Sequence, residues 1–127
     1  MSMNQFSVLI VDDASTVRAC LRQILTPFGL AKIHDAASGA RAIELLATQH
    51  YDLIFLDIEL PDYDGCVLLT EIKKIAIGTH VVMCSSHNSF SNVQACIKGG
   101  ASNFIIKPFS VLKINSIVQH CLGRRCN

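Results

Sequence analysis

Short strand-like runs and helix-like segments alternate along this chain, and the alternation limits the folds that it can adopt. The strand-like runs are Phe6 to Val11, Ala31 to Ala36, Asp52 to Asp57, His80 to Ser85 and Ser102 to Ile106. Apolar residues at helical spacing follow each run, and strands that read as almost continuously apolar are typical of parallel sheets covered on both faces. The pattern therefore predicts a doubly wound α/β domain with a five-stranded parallel sheet and helices on both faces.

Turn and capping residues give the expected limits of several helices. Pro27 and Gly29 predict the end of the first helix, and Ser38 and Ser110 are good N-caps for the second and the last. The apolar positions of the later helices predict their buried faces. These positions are Ala42, Ile43, Leu46 and Ala47 in the second helix, Leu68, Leu69, Ile72 and Ile75 in the third, Phe90, Val93, Cys96 and Ile97 in the fourth, and Leu112, Ile114, Ile117, Val118 and Cys121 in the fifth.

Charged residues follow three of the apolar runs. Asp12 and Asp13 come after the first, Asp57 follows the apolar part of the third, Leu53 to Leu56, and Lys107 comes after the fifth, while the fourth run ends at Ser85. The carboxyl ends of parallel strands meet at one edge of the sheet, where such folds bind their ligands. Crowded carboxylates repel one another unless a divalent cation lies among them. The sequence therefore predicts a Mg²⁺ site with a nucleophilic aspartate and a lysine as phosphate partner.

Composition sets the class of protein. The chain has 127 residues, half of them hydrophobic, which predicts one domain over residues 1–127. A formal net charge of +1 from interspersed charges favours no direct contact with nucleic acid. The stretch from Ile75 to Ile97 lacks charged residues but is rich in polar ones, which argues against membrane insertion. The amino terminus lacks the pattern of a secretion signal, so we expect a cytoplasmic protein.

Cysteine and histidine spacing suggests no dedicated metal site. The six cysteines form no C-x-x-C pair, and we expect most of them to be small buried hydrophobes in a reduced compartment, with metal binding or redox sensing as the alternatives. They are Cys20, Cys66, Cys84, Cys96, Cys121 and Cys126. We expect His34, His50, His80 and His120 to lie at the surface or at its boundary.

The residues at the strand ends resemble those of the receiver domain of bacterial response regulators, over essentially the whole chain. The matching residues are Asp12 and Asp13, Asp57 followed by Pro61 and Gly65, Ser85, and Lys107-Pro108-Phe109. The resemblance implies a flavodoxin-like strand order 2-1-3-4-5 and a signalling module of a two-component phosphorelay. Such a module is no enzyme beyond its own phosphorylation and dephosphorylation.

The resemblance also implies how the phosphoryl group is received. Asp57 is the implied phosphoacceptor, and the donor is a phosphohistidine on a histidine kinase or a histidine phosphotransfer protein. Mg²⁺, with Mn²⁺ as a substitute, is held by Asp12, Asp13, Asp57 and the backbone carbonyl of Glu59. Lys107 contacts the phosphoryl group, and a carboxylate so neutralised is a competent nucleophile towards phosphorus.

Further positions carry implied roles in switching and signal lifetime. Ser85 supplies a hydroxyl to the phosphoryl group, Phe104 is the switch aromatic, and Pro108 follows a cis peptide bond. The Glu59 side chain and His87 stand where the family tunes dephosphorylation. The expected result is a changed face of fourth helix, fifth strand and fifth helix, through which an unknown downstream protein binds.

Other interpretations of the same residues stay open at this point. Asp12 or Asp13 alone could cap the following helix, and Lys107 alone could be a solvated surface charge. The chain ends soon after the fifth helix, so we expect a stand-alone, chemotaxis-type receiver. The alternatives are the receiver part of a larger transcriptional regulator, a Mg²⁺-dependent phosphohydrolase and a phosphorylation-independent interaction module.

Overall fold

Five strands and five helices alternate in the structure, as the sequence predicts. The structure is a computed structural model that describes the backbone of residues 5–86 and 90–126 and the side chains of residues 5–86 and 94–123. The strands are β1 (Ser7–Val11), β2 (Lys32–Ala36), β3 (Leu53–Asp57), β4 (His80–Ser85) and β5 (Asn103–Ile106). The helices are α1 (Ser15–Leu25), α2 (Gly39–Thr48), α3 (Gly65–Ile75), α4 (Phe90–Lys98) and α5 (Val111–Cys126).

The strands form one parallel sheet in the order β2-β1-β3-β4-β5, which confirms the predicted fold class. The direction of winding reverses at β1, because the chain passes from there to β2 on one side and later to β3 on the other. Val11 pairs with Leu56 across this junction. The residues that follow β1 and end β3 therefore lie side by side at the switch point, where doubly wound sheets bind ligands.

The sheet separates two apolar cores, which explains why its central strands are apolar throughout. Alternate residues of β1 and β3, such as Leu9 and Ile54, pack beneath α2, α3 and α4. Their neighbours Ile10 and Phe55 pack on the opposite face against α1 and α5. Burial on both faces removes the polar alternation of a half-exposed strand.

The predicted helix ends agree with the structure. The Ser38 hydroxyl accepts a hydrogen bond from the Arg41 amide at 3.2 Å, and the Ser110 hydroxyl accepts one from Lys113 at 3.2 Å. After α1, Thr26–Phe28 forms a 3₁₀ turn that ends at Gly29, whose φ of 65° is left-handed. Four predicted strands began one residue too early, because Phe6, Ala31, Asp52 and Ser102 each precede the first paired residue.

Four residues predicted to be buried are exposed instead. Ile75 and Ile97 are more than half exposed, Leu112 is 81% exposed, and Ala47 is exposed while Leu45 takes its place in the core. Each of the four lies within one residue of a helix end. Ile97, Leu112 and Ala47 each lie one or two positions from a buried neighbour, and residues so spaced do not share a helix face. The side chains of Phe90 and Val93 lie outside the described residues.

Within the described ranges, no helix is both long and apolar enough to cross a membrane.

Candidate functional site

The predicted carboxylates meet at the carboxyl edge of the sheet. Asp12 follows β1 and Asp57 ends β3, and these side chains are nearly inaccessible, with residue exposures of 2% and 5%. Asp13 is exposed beside them. One carboxylate oxygen from each of the three residues lies within 4.8 Å of the others. The predicted metal-binding aspartates are thus brought together.

Lys107 reaches this cluster from β5, across the end of β4. Its Nζ lies 2.7 Å from Asp12 Oδ2 and 3.3 Å from Asp57 Oδ1. The Lys107 amide donates to the Ser85 carbonyl at 2.8 Å, which holds the residue beside β4, and the Lys107-Pro108 bond is cis, as predicted. The ammonium is therefore aimed at the carboxylates and is not a solvated surface charge.

Burial and like charge make the site electrostatically unfavourable. Burial raises the pKa of Asp57, and the neighbouring Asp12 raises it further, against the opposing effects of Lys107 and the Glu59 amide. Burial alone would lower the pKa of Lys107, but its hydrogen bond to Asp12 and the charges of both aspartates outweigh burial and raise it. One ammonium therefore faces three carboxylates among the residues described. A divalent cation with oxygen ligands would relieve the remaining repulsion.

Helix capping explains the contacts of neither Asp12 nor Asp57, because the N-cap of α1 is Ala14, with no side-chain cap hydrogen bond, and the N-cap of α3 is Asp64. Asp12 Oδ1 accepts from the Ala14 amide at 2.9 Å, just before α1, while its other oxygen contacts Lys107. The cap of α3 is Asp64, which accepts from the amides of Cys66 and Val67 at 2.8 and 3.3 Å. Asp57 is therefore free of a capping role at α3.

The loop between β3 and α3 is held close over Asp57. The Glu59 amide donates to Asp57 Oδ1 at 3.3 Å, and the Gly65 amide donates to the Ile58 carbonyl at 2.7 Å. A Cβ at Gly65 would lie 2.6 Å from the Asp57 carbonyl and 2.7 Å from that of Ile58. The loop can return this tightly only because Gly65 has no side chain.

Asp62 is a positioning residue that the sequence analysis assigned only to a turn. Its two carboxylate oxygens accept from the amides of Gly39 and Ala40 at 2.9 Å each, and these bonds lower the pKa of Asp62. The contact ties the loop above Asp57 to the first turn of α2. No local pattern predicts it, because the partners are 22 and 23 residues apart.

Ser85 and Phe104 lie on the expected strands, and the roles of these residues, of Glu59 and of His87 stay predictions. Ser85 is buried at the end of β4, and Phe104 is partly buried beside the core beneath α2, α3 and α4. The Glu59 side chain is exposed, and its amide contacts Asp57, so the metal-binding role of its carbonyl is untested. His87 lies outside the described residues.

Comparisons with known proteins agree with this geometry. The response regulator receiver domain family matches residues 8–119. The chemotaxis protein CheY of Bacillus subtilis is 36% identical over 116 residues, which cover 91% of this chain and 97% of that protein. The regulatory protein AtoC of Escherichia coli is 33% identical over 117 residues, but the match covers only 25% of its length. The domain thus resembles both a protein of its own size and part of a larger regulator.

The fold of this chain is also similar to that of a solved structure. A two-component response regulator from Clostridium difficile has a TM-score of 0.91 and 27% sequence identity, over 97% of this chain and 100% of that chain. Its fold therefore matches from end to end, including the strand order that brings Asp12 and Asp57 together. Since sequence and fold agree over nearly the whole length, this chain belongs to the receiver domain family of two-component response regulators.

Proposed function

We propose that Asp57 accepts a phosphoryl group from the phosphohistidine of a histidine kinase or histidine phosphotransfer protein. An Asp57 carboxylate oxygen attacks phosphorus, the phosphorus–nitrogen bond to the donor imidazole breaks, and that nitrogen takes up a proton. The observation that carries the proposal is the position of Asp57, whose Oδ1 lies 3.3 Å from Lys107 Nζ within a cluster of three carboxylates. Such a carboxylate is a nucleophile with a cationic partner for phosphoryl oxygens already in place.

The donor set suits Mg²⁺, with Mn²⁺ as a substitute. Asp12, Asp13 and Asp57 offer only oxygen atoms, the ligands that Mg²⁺ prefers. Burial and then the charge of Asp12 raise the pKa of Asp57, and a cation would offset the repulsion between these two carboxylates. The Glu59 carbonyl is the proposed fourth protein ligand. When bound, the ion neutralises charge on the acceptor and phosphoryl oxygens.

Lys107 and Ser85 are the proposed partners of the phosphoryl group. Lys107 already contacts both Asp12 and Asp57. On phosphorylation, its ammonium would therefore only exchange a carboxylate oxygen for a phosphoryl oxygen. Ser85 is anchored by its carbonyl to the Lys107 amide at 2.8 Å. Glu59 and His87 are the proposed determinants of acyl phosphate lifetime, and Glu59→Asn and His87→Ala should change that lifetime.

The proposed switch joins the phosphoryl group to a distant surface. Shifting the equilibrium between an inactive and an active conformation from 1:99 to 99:1 needs about 5.5 kcal/mol. Charge-assisted hydrogen bonds from Ser85 and Lys107, at roughly 1.5–3 kcal/mol each, come close to that value. We expect Ser85 to move towards the phosphoryl group and Phe104 to fill the space that it leaves. If Ser85 and Phe104 stay in place when beryllofluoride binds, this coupling is wrong.

The proposed output surface is the face of α4, β5 and α5, for a downstream protein of unknown identity. Ile97, Ile106 and Leu112 on these three elements are exposed apolar residues. Such side chains favour contact with another protein over contact with water. We place the domain, residues 1–127, in the cytoplasm, where the phosphohistidine donors of such relays act.

Labelling with acetyl phosphate and Mg²⁺ tests the assignment. We expect one acid-stable, base-labile phosphoryl group per chain, lost in Asp57→Ala and retained in Asp52→Asn, a carboxylate change at the opposite end of the sheet. Peptide mass spectrometry would locate the group. Labelling at another residue would contradict the role of Asp57, turnover of phosphomonoesters would indicate a hydrolase, and no labelling would indicate an interaction module.

A further inference from the structure

Two cysteine side chains meet between α3 and α4, on the sheet face opposite α1 and α5. The sulfur atoms of Cys66 and Cys96 lie 2.8 Å apart, although the residues are 30 positions apart in sequence. Cys66 is in the first turn of α3 and Cys96 is in α4. This contact is shorter than ordinary van der Waals contact between sulfurs, and the chemistry of the receiver site does not use it.

The environments of the two thiols differ. Cys96 is fully buried, and burial together with its hydrogen bond to Cys66 raises its pKa to about 12, so it remains a protonated donor at neutral pH. Cys66 is partly accessible and lies at the positive end of the α3 dipole. An oxidant in solution reaches an accessible thiol before a buried one. Cys66 is therefore the residue that an oxidant in solution would meet first.

We propose that Cys66 and Cys96 are a redox modification site at which a hydroperoxide forms an intramolecular disulfide between α3 and α4. The Cys66 thiolate attacks a peroxide oxygen, the oxygen–oxygen bond breaks, and Cys66 becomes a sulfenic acid while the peroxide is reduced to water or an alcohol. The Cys96 sulfur then attacks the Cys66 sulfur. The sulfur–oxygen bond breaks, and the hydroxide leaves as water with the Cys96 proton.

The geometry requires only a small displacement. A disulfide bond is about 2.05 Å long, so the sulfurs must approach by about 0.8 Å from their separation of 2.8 Å. Among the cysteine side chains that the structure describes, the competing partners lie on the other side of the sheet, since Cys84 and Cys121 belong to the core beneath α1 and α5. Cys20 is exposed on α1, the helix that covers that same face. The sheet therefore separates these three thiols from the pair.

The bond would join two segments that flank the receiver site. The Asp57 loop leads into α3, and α4 follows β4 and Ser85. A covalent link would restrict movement of α4 relative to α3. The disulfide itself does not depend on the phosphoacceptor role, because it forms between thiols in the unphosphorylated protein.

The test treats the full, unphosphorylated chain with hydrogen peroxide, alkylates the remaining thiols and analyses tryptic peptides. We expect a cross-link between peptides 42–73 and 75–98, with the loss of two hydrogens and of two alkylated thiols, reversed by dithiothreitol. Peptide 75–98 also contains Cys84, so Cys84→Ala should keep the cross-link and Cys96→Ala should lose it. Cys20→Ser is a control that should also keep it.

Two further measurements keep the proposal falsifiable if Cys96→Ala folds poorly. Cys66→Ser changes the more accessible residue and should leave Cys96 open to alkylation after peroxide treatment, and oxidation of the unaltered protein should slow amide hydrogen exchange in α4. Irreversible oxidation of Cys66 with Cys96 still alkylated would overturn the proposal, and so would loss of Cys96 alkylation after peroxide treatment of Cys66→Ser.

Discussion

The two ends of the sheet both carry polar side chains in and near the core, but they satisfy them in different ways. At the amino end, Asp52 accepts from the Ser7 amide at 2.9 Å and from His50 Nε2 at 3.3 Å. The Thr79 hydroxyl donates to the Tyr51 carbonyl at 2.8 Å. These contacts pair acceptors with donors.

At the carboxyl end of the sheet, negatively charged carboxylates lie close to one another instead. Asp12 and Asp57 share one lysine, and burial and mutual repulsion raise the pKa of Asp57. Polar groups that serve stability alone need only be paired, as they are at the amino end. Repulsion kept at one end of the fold is typical of a functional site, and the proposed cation would offset it.

The largest expected difference between the two ends is in Mg²⁺ affinity, after one carboxylate is removed at each end. Asp13→Asn takes a charge and a ligand from the proposed metal site, so we expect Mg²⁺ affinity to fall about 10²-fold. Asp52→Asn should leave it unchanged. Isothermal titration calorimetry measures both. Equal affinities for the two variants would mean that Asp13 binds no metal.

The next largest expected effect is on the free energy of unfolding, when one lysine is replaced at each end of the sheet. Lys107→Gln leaves Asp12 and Asp57 without their cation, and we expect the free energy of unfolding without Mg²⁺ to fall by about 2 kcal/mol. This is less than for a fully buried pair, because the Lys107 side chain retains 18% exposure. Mg²⁺ should restore much of the loss.

The matched lysine is Lys73, whose Nζ donates to the carbonyls of Ile77 and Thr79 at 3.1 and 2.9 Å. Lys73→Gln should lower stability by less than about 1 kcal/mol, with no dependence on Mg²⁺. Urea unfolding with and without Mg²⁺ compares the pair. A Mg²⁺-dependent loss in Lys73→Gln would remove the distinction between the two ends.

A smaller effect is expected from a neutral hydrogen bond at the amino end. Thr79→Val keeps the shape of a buried side chain but leaves the Tyr51 carbonyl without this donor, so stability should fall by about 1 kcal/mol. Labelling by acetyl phosphate should be unchanged. A large loss of labelling with the fold intact would show that the ends are coupled.

The smallest expected effect is the pH dependence of stability due to Asp57, because Lys107 offsets part of the repulsion between Asp57 and Asp12. The folded state holds the Asp57 proton more tightly than the unfolded state, whose value is near 3.8. The contribution of Asp57 to stability therefore falls as pH rises from about 4 through the folded pKa. Without divalent cations, Asp57→Asn should gain stability relative to the unaltered protein above this window and gain none below it. The same advantage at every pH in urea unfolding would contradict this sign.

Much of the fold and of the candidate site could be predicted because both depend on short-range patterns. Apolar runs buried on two faces indicate parallel strands, and such strands carry the residues that follow them to a common edge. Asp12, Asp57 and Lys107 were grouped in this way, and the structure brings them together. The helix caps at Ser38 and Ser110 followed from local backbone chemistry.

Contacts between distant segments could not be predicted in this way. Periodicity placed Ile97 and Leu112 on apolar faces, but both are exposed, because the side of a helix that meets the sheet is decided by packing. The tie from Asp62 to α2 joins partners that no local pattern relates.

The sequence by itself determined the order of strands and helices and the edge at which its acidic residues collect. Tertiary structure decided which groups touch: Lys107 with two aspartates, and Cys66 with Cys96. The physical reason is that hydrophobic periodicity acts over a few residues, whereas these contacts depend on the angles and distances at which whole helices and strands pack.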